Sequence, residues 1–308
     1  MDKFKKSELL KALDEAFKKD FASGLNVINP QWSEIAMKIA SSTETNTYGW
    51  LGHFPKLQEW VGKRRLRKMQ AQGMQVSNKL FESTVAIPRT NIEDDQVGLF
   101  SPMVKQMGQS AAELPDDLVF GLIKQGKSTL CYDGQNFFDD DHPVFAEVDG
   151  TGNQTTQSNI TKGSAAGKPA FYLLDTTNAV KPFIWQERLT PEIETKFDPS
   201  KSDTVFMEDT YIWGVRARGN AGFAFWQLAH RVEDSELTED VLMGVLAKMK
   251  SLKGDGGKLL NIRPNVILVP PALEFQARQI CESEIINGTT NILKGRLKVI
   301  VSPQIIEE

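Results

Sequence analysis

The sequence contains one formal match to a nucleotide-binding motif. Residues Gly121 to Ser128 read Gly-Leu-Ile-Lys-Gln-Gly-Lys-Ser, which fits the phosphate-binding loop of ATPases. The apolar run Ala170 to Leu174, followed by Asp175, resembles the strand and magnesium carboxylate that accompany this loop. These residues raise the hypothesis of a P-loop ATPase.

The residues around the match favour a structural interpretation. A phosphate-binding loop needs a buried strand before it and a helix that begins at its Lys-Ser pair, because the amides at that helix terminus hold the phosphates. Here Pro115 to Asp117 favours a helix before the motif, and Thr129 to Asn136 turns after it. We therefore predict a helix that ends at Gly126, with Lys127 in its cationic last turn.

Metal and nucleophile chemistry are weakly indicated. Asp139 to Asp141 and His142 offer possible ligands, but consecutive side chains point in different directions, so we interpret this run as a solvated acidic loop. The two cysteines, Cys131 and Cys281, lack paired spacing, and no nucleophile-elbow sequence occurs. The sequence thus assigns no catalytic, cofactor-binding or metal-binding residue.

A cluster of cations lies between Lys63 and Lys68, where five of six residues are basic. A nucleic-acid contact is one interpretation, but Trp60 is the single aromatic residue beside it and no stacking series is present. A charged edge that resists aggregation and a contact with carboxylates of a neighbouring subunit are the alternatives. The candidates that we predict for contacts between subunits are Arg64, Arg65, Arg67 and Lys68.

Composition places these motifs in an ordinary globular protein of 308 residues, 40% hydrophobic and 25% charged. The formal net charge of −4 argues against a dedicated nucleic-acid binder. The first residues lack an apolar signal core, and no apolar run approaches the roughly 18 residues of a membrane span. We predict neither an export signal nor a membrane segment.

Apolar periodicity predicts an α+β architecture. Pro115 is expected to break the helix at 101–126, and Asp149 to Lys168 reads as a flexible surface loop. The predicted helices cover 10–21, 29–39, 101–126, 237–249 and 272–281, and the predicted strands cover 170–174, 181–188, 210–216, 266–269 and 297–301.

Extended chain is predicted from Lys63 to Arg89, as two strands separated by Gly73. An isolated two-stranded ribbon is marginal in water, so this one needs a surface to lie on. We expect an adjacent copy of the chain to supply that surface.

A series of motifs occurs in a specific order, although each is weak alone. They lie at residues 48–60, 84–95, 131–143, 181–188, 205–207, 211–228, 266–271 and 291–295. Examples are Tyr-Gly-Trp-Leu-Gly-His-Phe-Pro from Tyr48 and Cys-Tyr-Asp-Gly-Gln-Asn-Phe-Phe from Cys131. Together they resemble the major head subunit of Mu-like phages and prophages, over most of the chain from about Tyr48 to Val301.

This resemblance implies a Hong Kong 97 (HK97)-like major capsid fold. It implies an N-terminal arm at 1–61 and an extended hairpin loop at 62–92. A discontinuous peripheral domain with a spine helix and a sheet follows at 93–234, and an axial domain at 235–308. The break expected at Pro115 departs from a single continuous spine helix. The family is not enzymatic, so no catalytic residue is implied.

The implied function is self-assembly into the icosahedral head shell of a Mu-like phage that encloses packaged DNA. The implied partners are other copies in pentamers and hexamers, a scaffolding protein, a portal, a decoration protein, and double-stranded DNA without sequence-specific contact. The implied location is the virion, after assembly in the bacterial host cytoplasm. The alternatives are an encapsulin-like compartment of the same fold with a dedicated cargo, and the P-loop ATPase.

Overall fold

A computed structural model of the chain describes residues 3–52, 73–94, 99–148, 150–196, 202–286 and 288–307. The helices are α1 (Lys3–Leu25), α2 (Trp32–Ile35), α3 (Arg89–Glu93), α4 (Ser101–Lys124), α5 (Asp203–Glu208), α6 (Glu239–Lys250) and α7 (Glu274–Glu282). The strands are β1 (Ala36–Ala40), β2 (Thr45–Tyr48), β3 (Met74–Ser77), β4 (Lys79–Pro88), β5 (His142–Phe145), β6 (Gln154–Gln157), β7 (Ile160–Lys162), β8 (Phe171–Leu174), β9 (Phe183–Lys196), β10 (Thr210–Phe223), β11 (Ala229–Glu233), β12 (Val266–Val269), β13 (Ile285–Ile286), β14 (Thr289–Thr290) and β15 (Lys298–Val301). No helix among these residues is long and apolar enough to cross a bilayer.

A four-stranded sheet with the order β1-β9-β10-β4 is built around a long hairpin. Its two central strands, β9 and β10, have 14 residues each and run antiparallel. β1 pairs in parallel with the start of β9, and β4 pairs antiparallel with β10 from Lys79 opposite Gly219 to Pro88 opposite Thr210. The β9–β10 hairpin therefore forms the centre of this sheet, and α5 lies in the connection between its two strands.

Helices α1 and α4 cover one face of this sheet. The apolar stripe of α1 places Leu13, Phe17 and Phe21 in a core with Trp213, whose ring centroid lies 5.0 Å from that of Phe17. The two helices cross closely at Gly24 and Gly108, since a Cβ atom on Gly108 would lie 2.2 Å from the carbonyl oxygen of Phe21. This confirms the amphipathic helix predicted at 10–21 and shows what covers it.

A second, five-stranded sheet has the order β15-β12-β8-β11-β7. Its strands β8 and β12 are fully buried, as expected for apolar runs without alternation. The apolar faces of α6 and α7 pack into the same core, through residues such as Leu242 and Ala277. Strands from both sides of residue 234 form this sheet, so the predicted boundary between peripheral and axial domains passes through it.

The helix predicted at 29–39 is wrong beyond its first turn. α2 ends at Ile35, and Ala36 begins strand β1, which pairs with β9 residues Phe183 to Glu187. The apolar spacing fits a helix, but pairing with a strand about 150 residues away in the chain decides the outcome. The carboxylate of Asp116 accepts hydrogen bonds from the amides of Gln31 and Trp32 and fixes this first turn.

The break predicted at Pro115 is also wrong, because α4 runs continuously from Ser101 to Lys124 with Pro115 inside it. An internal proline removes one helical hydrogen bond and costs about 3 kcal/mol. Packing of α4 against α1 and β10 along its length offsets this cost.

The predictions of a flexible loop at 149–168 and of a two-stranded ribbon at 63–89 need correction. Residues Asp149 to Lys168 contain strands β6 and β7, and β7 is the edge strand of the five-stranded sheet. In the predicted ribbon, β3 pairs with β2, and β4 has β10 as its partner, so residues 74–88 are held within their own chain. The other predicted strand of the ribbon, Arg65 to Ala71, lies outside the described residues.

Candidate functional site: buried ion pairs and assembly surfaces

The glycine-rich motif lies at the end of α4 and does not open a helix. α4 ends at Lys124, and one 3-10 turn covers Gln125 to Lys127. The Nζ atom of Lys127 lies 3.0 and 2.8 Å from the two carboxylate oxygens of Glu233. The structural interpretation of the motif is confirmed, and its lysine is engaged by a carboxylate.

Asp175, the proposed magnesium carboxylate, stabilises a turn. It is fully buried and accepts hydrogen bonds from the amide and hydroxyl of Thr177, from the side chain of Asn178 and from the amide of Arg263. Both carboxylate oxygens of Asp175 therefore accept hydrogen bonds that hold the turn after strand β8.

Arg231 in β11 organises a buried network that extends from Lys127 to the C-terminal segment. Its Nε atom lies 2.9 Å from Glu233, and its two terminal nitrogens lie 2.6 and 2.7 Å from the carboxylate oxygens of Glu307. One of these nitrogens also donates to the hydroxyl of Tyr172 at 2.7 Å. The bidentate pair fixes the C-terminal segment against the five-stranded sheet.

Burial and ion pairing shift the pKa values of this network in opposite directions. Burial lowers the pKa of Arg231, but hydrogen bonding to Glu307 and the surrounding negative charge raise it above its usual value. For the carboxyl group of Glu233, burial alone would raise the pKa, but hydrogen bonds from Lys127 and Arg231 bring it below its usual value. The arrangement is an ion-pair network with a structural role.

His142 is buried and turned away from the acidic loop. Its Nδ1 lies 2.8 Å from Asp133, its Nε2 lies 3.3 Å from Asn159, and its ring stacks on Trp226 with centroids 4.0 Å apart. Asp140 and Asp141 are exposed, which fits the interpretation of a solvated acidic loop. The expectation that these side chains point in different directions is wrong, because carboxylate oxygens of Asp139, Asp140 and Asp141 lie within 4.8 Å of one another. The imidazole is therefore hydrogen-bonded to Asp133 and Asn159 and not to the carboxylates of the acidic run 139–141.

Cys131, Asp133 and His142 offer ligand atoms within 4.8 Å of one another. The Cys131 thiol donates to Asp133 at 2.9 Å, and His142 binds the other oxygen of the same carboxylate. Burial raises the pKa of the Cys131 thiol far above its usual value, which disfavours the thiolate that a metal ion requires. Hydrogen bonding accounts for all three groups.

Several large apolar side chains are exposed on separate elements. Phe206 and Met207 on α5 are 71% and 77% exposed, and Phe275 on α7 is 85% exposed. Leu80 on β4 and Ile285 on β13 are exposed as well. These positions were not predicted from the sequence, although the adjacent pair Phe206 and Met207, flanked by Asp203 and Glu208, is a visible signal. The predicted contact residues Arg64, Arg65, Arg67 and Lys68 lie outside the described residues.

The architecture of the long hairpin, its helical cover and the five-stranded sheet is shared with capsid subunits of known structure. The chain superposes on a protein from the procapsid of bacteriophage JBD30 with a TM-score of 0.85 and 45% identity, covering 96% of this chain and 99% of that one. It also matches a chain from the JBD30 capsid decorated with minor capsid protein trimers, with a TM-score of 0.74, 31% identity and coverage of 92% and 93%. These findings define the class: a phage capsid protein with an α+β, HK97-like fold.

Sequence comparison places the chain within that class. Residues 10–305 match the family described as the Mu-like prophage major head subunit gpT. The chain is 46% identical over 299 residues to the major capsid protein of Escherichia phage Mu, covering 95% of this chain and 97% of that protein. The chain belongs to the Mu-like major head subunit family: it is a structural protein, not an enzyme, and it forms the head shell of the virion. The family resemblance, the fold class and the function predicted from the sequence are confirmed.

Proposed function

We propose that copies of this chain associate as pentamers and hexamers, and that these capsomers close an icosahedral shell around packaged double-stranded DNA. The observation that supports this proposal is the placement of exposed apolar side chains on α5, α7, β4 and β13. Such side chains are typical of contact surfaces, and several separate ones suit a subunit with several different neighbours.

Capsomer masses test this proposal. Shells dissociated under mild conditions should release particles of five and six times the 34.4 kDa chain, measured by native mass spectrometry. Release of trimers or dimers alone would contradict the pentamer and hexamer arrangement.

The proposal includes further partners. A scaffolding protein would guide shell closure, a portal would provide the DNA entry point, and a decoration protein would bind the finished surface. The net charge of −4 supports packaged DNA held without sequence-specific contact, because a strongly basic chain would bind the DNA and oppose its release.

The division into regions is part of the same proposal. Residues 1–61 form the arm, 62–92 the extended hairpin loop, 93–234 the peripheral domain and 235–308 the axial domain. The sheet topology supports one refinement: strands β7, β8 and β11 share the five-stranded sheet with β12 and β15, so they belong with the axial domain.

The cations Arg64, Arg65, Arg67 and Lys68 are proposed to contact carboxylates of a neighbouring copy. Glu82, Glu192 and Glu194 support this, since they are exposed on the β4-β10-β9 sheet and form no ion pair with any residue that the structure describes. Exposed pairs contribute about 0 to 1 kcal/mol each and are screened by salt.

A variant with alanine at these four positions tests the contact. We expect a lower yield of shells at low salt and a weaker dependence of that yield on salt concentration, both measured by sedimentation. Unchanged yield and unchanged salt dependence would rule out this role.

A further inference from the structure

Two of the three histidines, His142 and His230, lie in the described part of the chain, and both are buried in contrasting electrostatic surroundings. The Nδ1 atom of His142 lies 2.8 Å from the carboxylate of Asp133, so a negative charge faces this imidazole. His230, in β11, is 1% exposed, and the charge that acts on it is the positive charge of Lys248. A protonated imidazole would therefore face an opposite charge at His142 and a like charge at His230.

The hydroxyl group of Thr161 joins His230 to Lys248. Nε2 of His230 lies 2.8 Å from the hydroxyl oxygen of Thr161 in β7, and the same oxygen lies 3.1 Å from Nζ of Lys248 on α6. An ammonium group only donates, so the hydroxyl accepts from Lys248 and can direct its own proton to Nε2 of a neutral imidazole. A protonated imidazole would bring a second donor and a second positive charge to this hydroxyl. The arrangement therefore favours the neutral form of His230.

The other charged groups beside His230 are paired elsewhere. In β11, Arg231 and Glu233 lie on the opposite face of the strand from His230 and bond to each other. In β7, the ammonium group of Lys162 lies 3.5 Å from the carboxylate of Asp234. No carboxylate in the described part of the chain forms a hydrogen bond or ion pair with His230.

Burial opposes a proton on His230 as well. The residue opposite it in β8 is the fully buried Leu173, so the imidazole has an apolar neighbour on that side. Burial lowers the pKa of His230 to about 3, and the charge of Lys248 acts in the same direction. Because the ordinary value in an unfolded chain is 6.5, the folded state loses stability as the pH falls from there towards 3.

The nearest edge of the five-stranded sheet is next to His230. β11 is second from that edge in the order β15-β12-β8-β11-β7, and β7 pairs with β11 along three residues, Ile160 to Lys162. A short edge strand can separate locally without unfolding of the remaining chain. Separation of β7 removes Thr161 from His230 and admits water to the imidazole.

We propose that the contact between His230 and Thr161 is an acid-sensitive switch: protonation of His230 detaches β7 from the five-stranded sheet while the rest of the subunit stays folded. Every copy in a symmetric shell carries the same switch, so acid acts on all subunits of the shell. The switch is a property of the single subunit and does not depend on capsomer size.

The pH dependence of unfolding tests the switch. The variant His230→Gln keeps an oxygen that can accept from Thr161 but cannot become cationic. In urea denaturation of free subunits, the folded-to-unfolded ratio of the wild type should fall by up to roughly 30-fold relative to that of the variant between pH 8 and pH 5, because the unfolded chain gains a proton that the buried imidazole does not. Parallel pH curves for the two proteins would overturn the proposal.

Two lysine variants on α6 form a matched pair. Lys248→Met removes the like charge that faces His230, so it should reduce the loss of stability between pH 8 and pH 5. Lys250→Met, at another exposed position of the same helix, should leave that loss unchanged. Equal effects of the two variants would contradict this arrangement of charges.

Hydrogen exchange of the wild-type chain identifies the element that is released and needs no substitution. After correction for the intrinsic effect of pH, the amides of β7 should exchange faster at pH 5 than at pH 8, while those of α1 and β9 should keep their protection. The same change is expected in free subunits and in shells. Unchanged protection of β7, or an equal loss of protection along the whole chain, would overturn the switch.

Discussion

The ion pairs of this chain contribute different amounts to its stability because they differ in burial. The side chain of Arg231 is 2% exposed and bonds to Glu233, Glu307 and Tyr172, whereas that of Lys127 is 48% exposed and, within the described part of the chain, bonds to Glu233. Removing one partner of a buried pair leaves an uncompensated charge, while an exposed pair exchanges its partner for water.

The substitution Arg231→Met should lower the free energy of unfolding by about 1 to 3 kcal/mol, because the buried Tyr172 hydroxyl and the Glu233 carboxylate each lose a hydrogen-bond partner, while Lys127 still contacts Glu233. Lys127→Met, the matched control, should lower it by about 0 to 1 kcal/mol. Urea denaturation of unassembled subunits measures both values. Similar losses for the two variants would show that the Arg231 network is not the main contributor. Neither the wild type nor either variant should hydrolyse ATP, since no nucleotide chemistry is expected.

The pH dependence of stability should reflect Glu233. Its pKa is lower in the folded chain than the ordinary value of 4.5, so its contribution is present above that pH and is lost as the pH falls through the folded pKa. Glu233→Gln should therefore destabilise the subunit at pH 7 and approach the wild type in stability as the pH falls below 4.5 and through the folded pKa of Glu233. Glu236→Gln, at a more exposed carboxylate, serves as the control. A difference between Glu233→Gln and wild type that stays constant with pH would contradict the assignment.

For individual residues, the sequence predicts a role correctly where that role depends on neighbours in the chain. The residues flanking Gly121 to Ser128 already indicated a helix end, because proline before the motif and a turn after it are local signals. The pairing of Arg231 with Glu307 spans 76 positions in the chain and depends on the fold of the five-stranded sheet. No spacing rule could have found it.

Among the elements, the crossing of α1 and α4 depends on two glycines. A Cβ atom at Gly24 would lie 2.1 Å from the carbonyl oxygen of Lys105, and one at Gly108 would lie 2.2 Å from that of Phe21. Both obstacles are backbone atoms, so the helices would have to move apart.

We expect Gly108→Ala to cost about 1 to 3 kcal/mol of stability and to increase hydrogen exchange along α1. Gly121→Ala lies on the same helix with open space around it, so it should be neutral or stabilise by up to about 1 kcal/mol. Hydrogen exchange and denaturation of free subunits test the pair. Equal effects at the two positions would mean that the close crossing is unimportant.

Long elements with strong periodicity were predictable from the sequence, and short ones were not. The stripes of α1 and α6 and the buried strand β12 have one interpretation each, because their length and burial pattern agree. Residues Trp32 to Ala40 fit a helix equally well, yet β1 forms because β9 offers a parallel partner. The continuity of α4 through Pro115 likewise depends on packing that the sequence does not display.

On the scale of the whole molecule, assembly explains surface features that a single chain leaves unsatisfied. Phe206, Met207 and Phe275 are exposed in the single chain. Composition and net charge could exclude a fibrous or strongly basic protein but could not place these contact surfaces. The ordered motifs indicated the family, and the structure shows which large apolar side chains are exposed.

Expression of the chain with its neighbouring head genes, followed by sedimentation and electron microscopy, shows whether the chain assembles into a shell. We expect closed icosahedral particles built from the 34.4 kDa chain, sedimenting far ahead of free subunits. A chain that stayed monomeric under these conditions, or that formed only a small closed dimer, would contradict it.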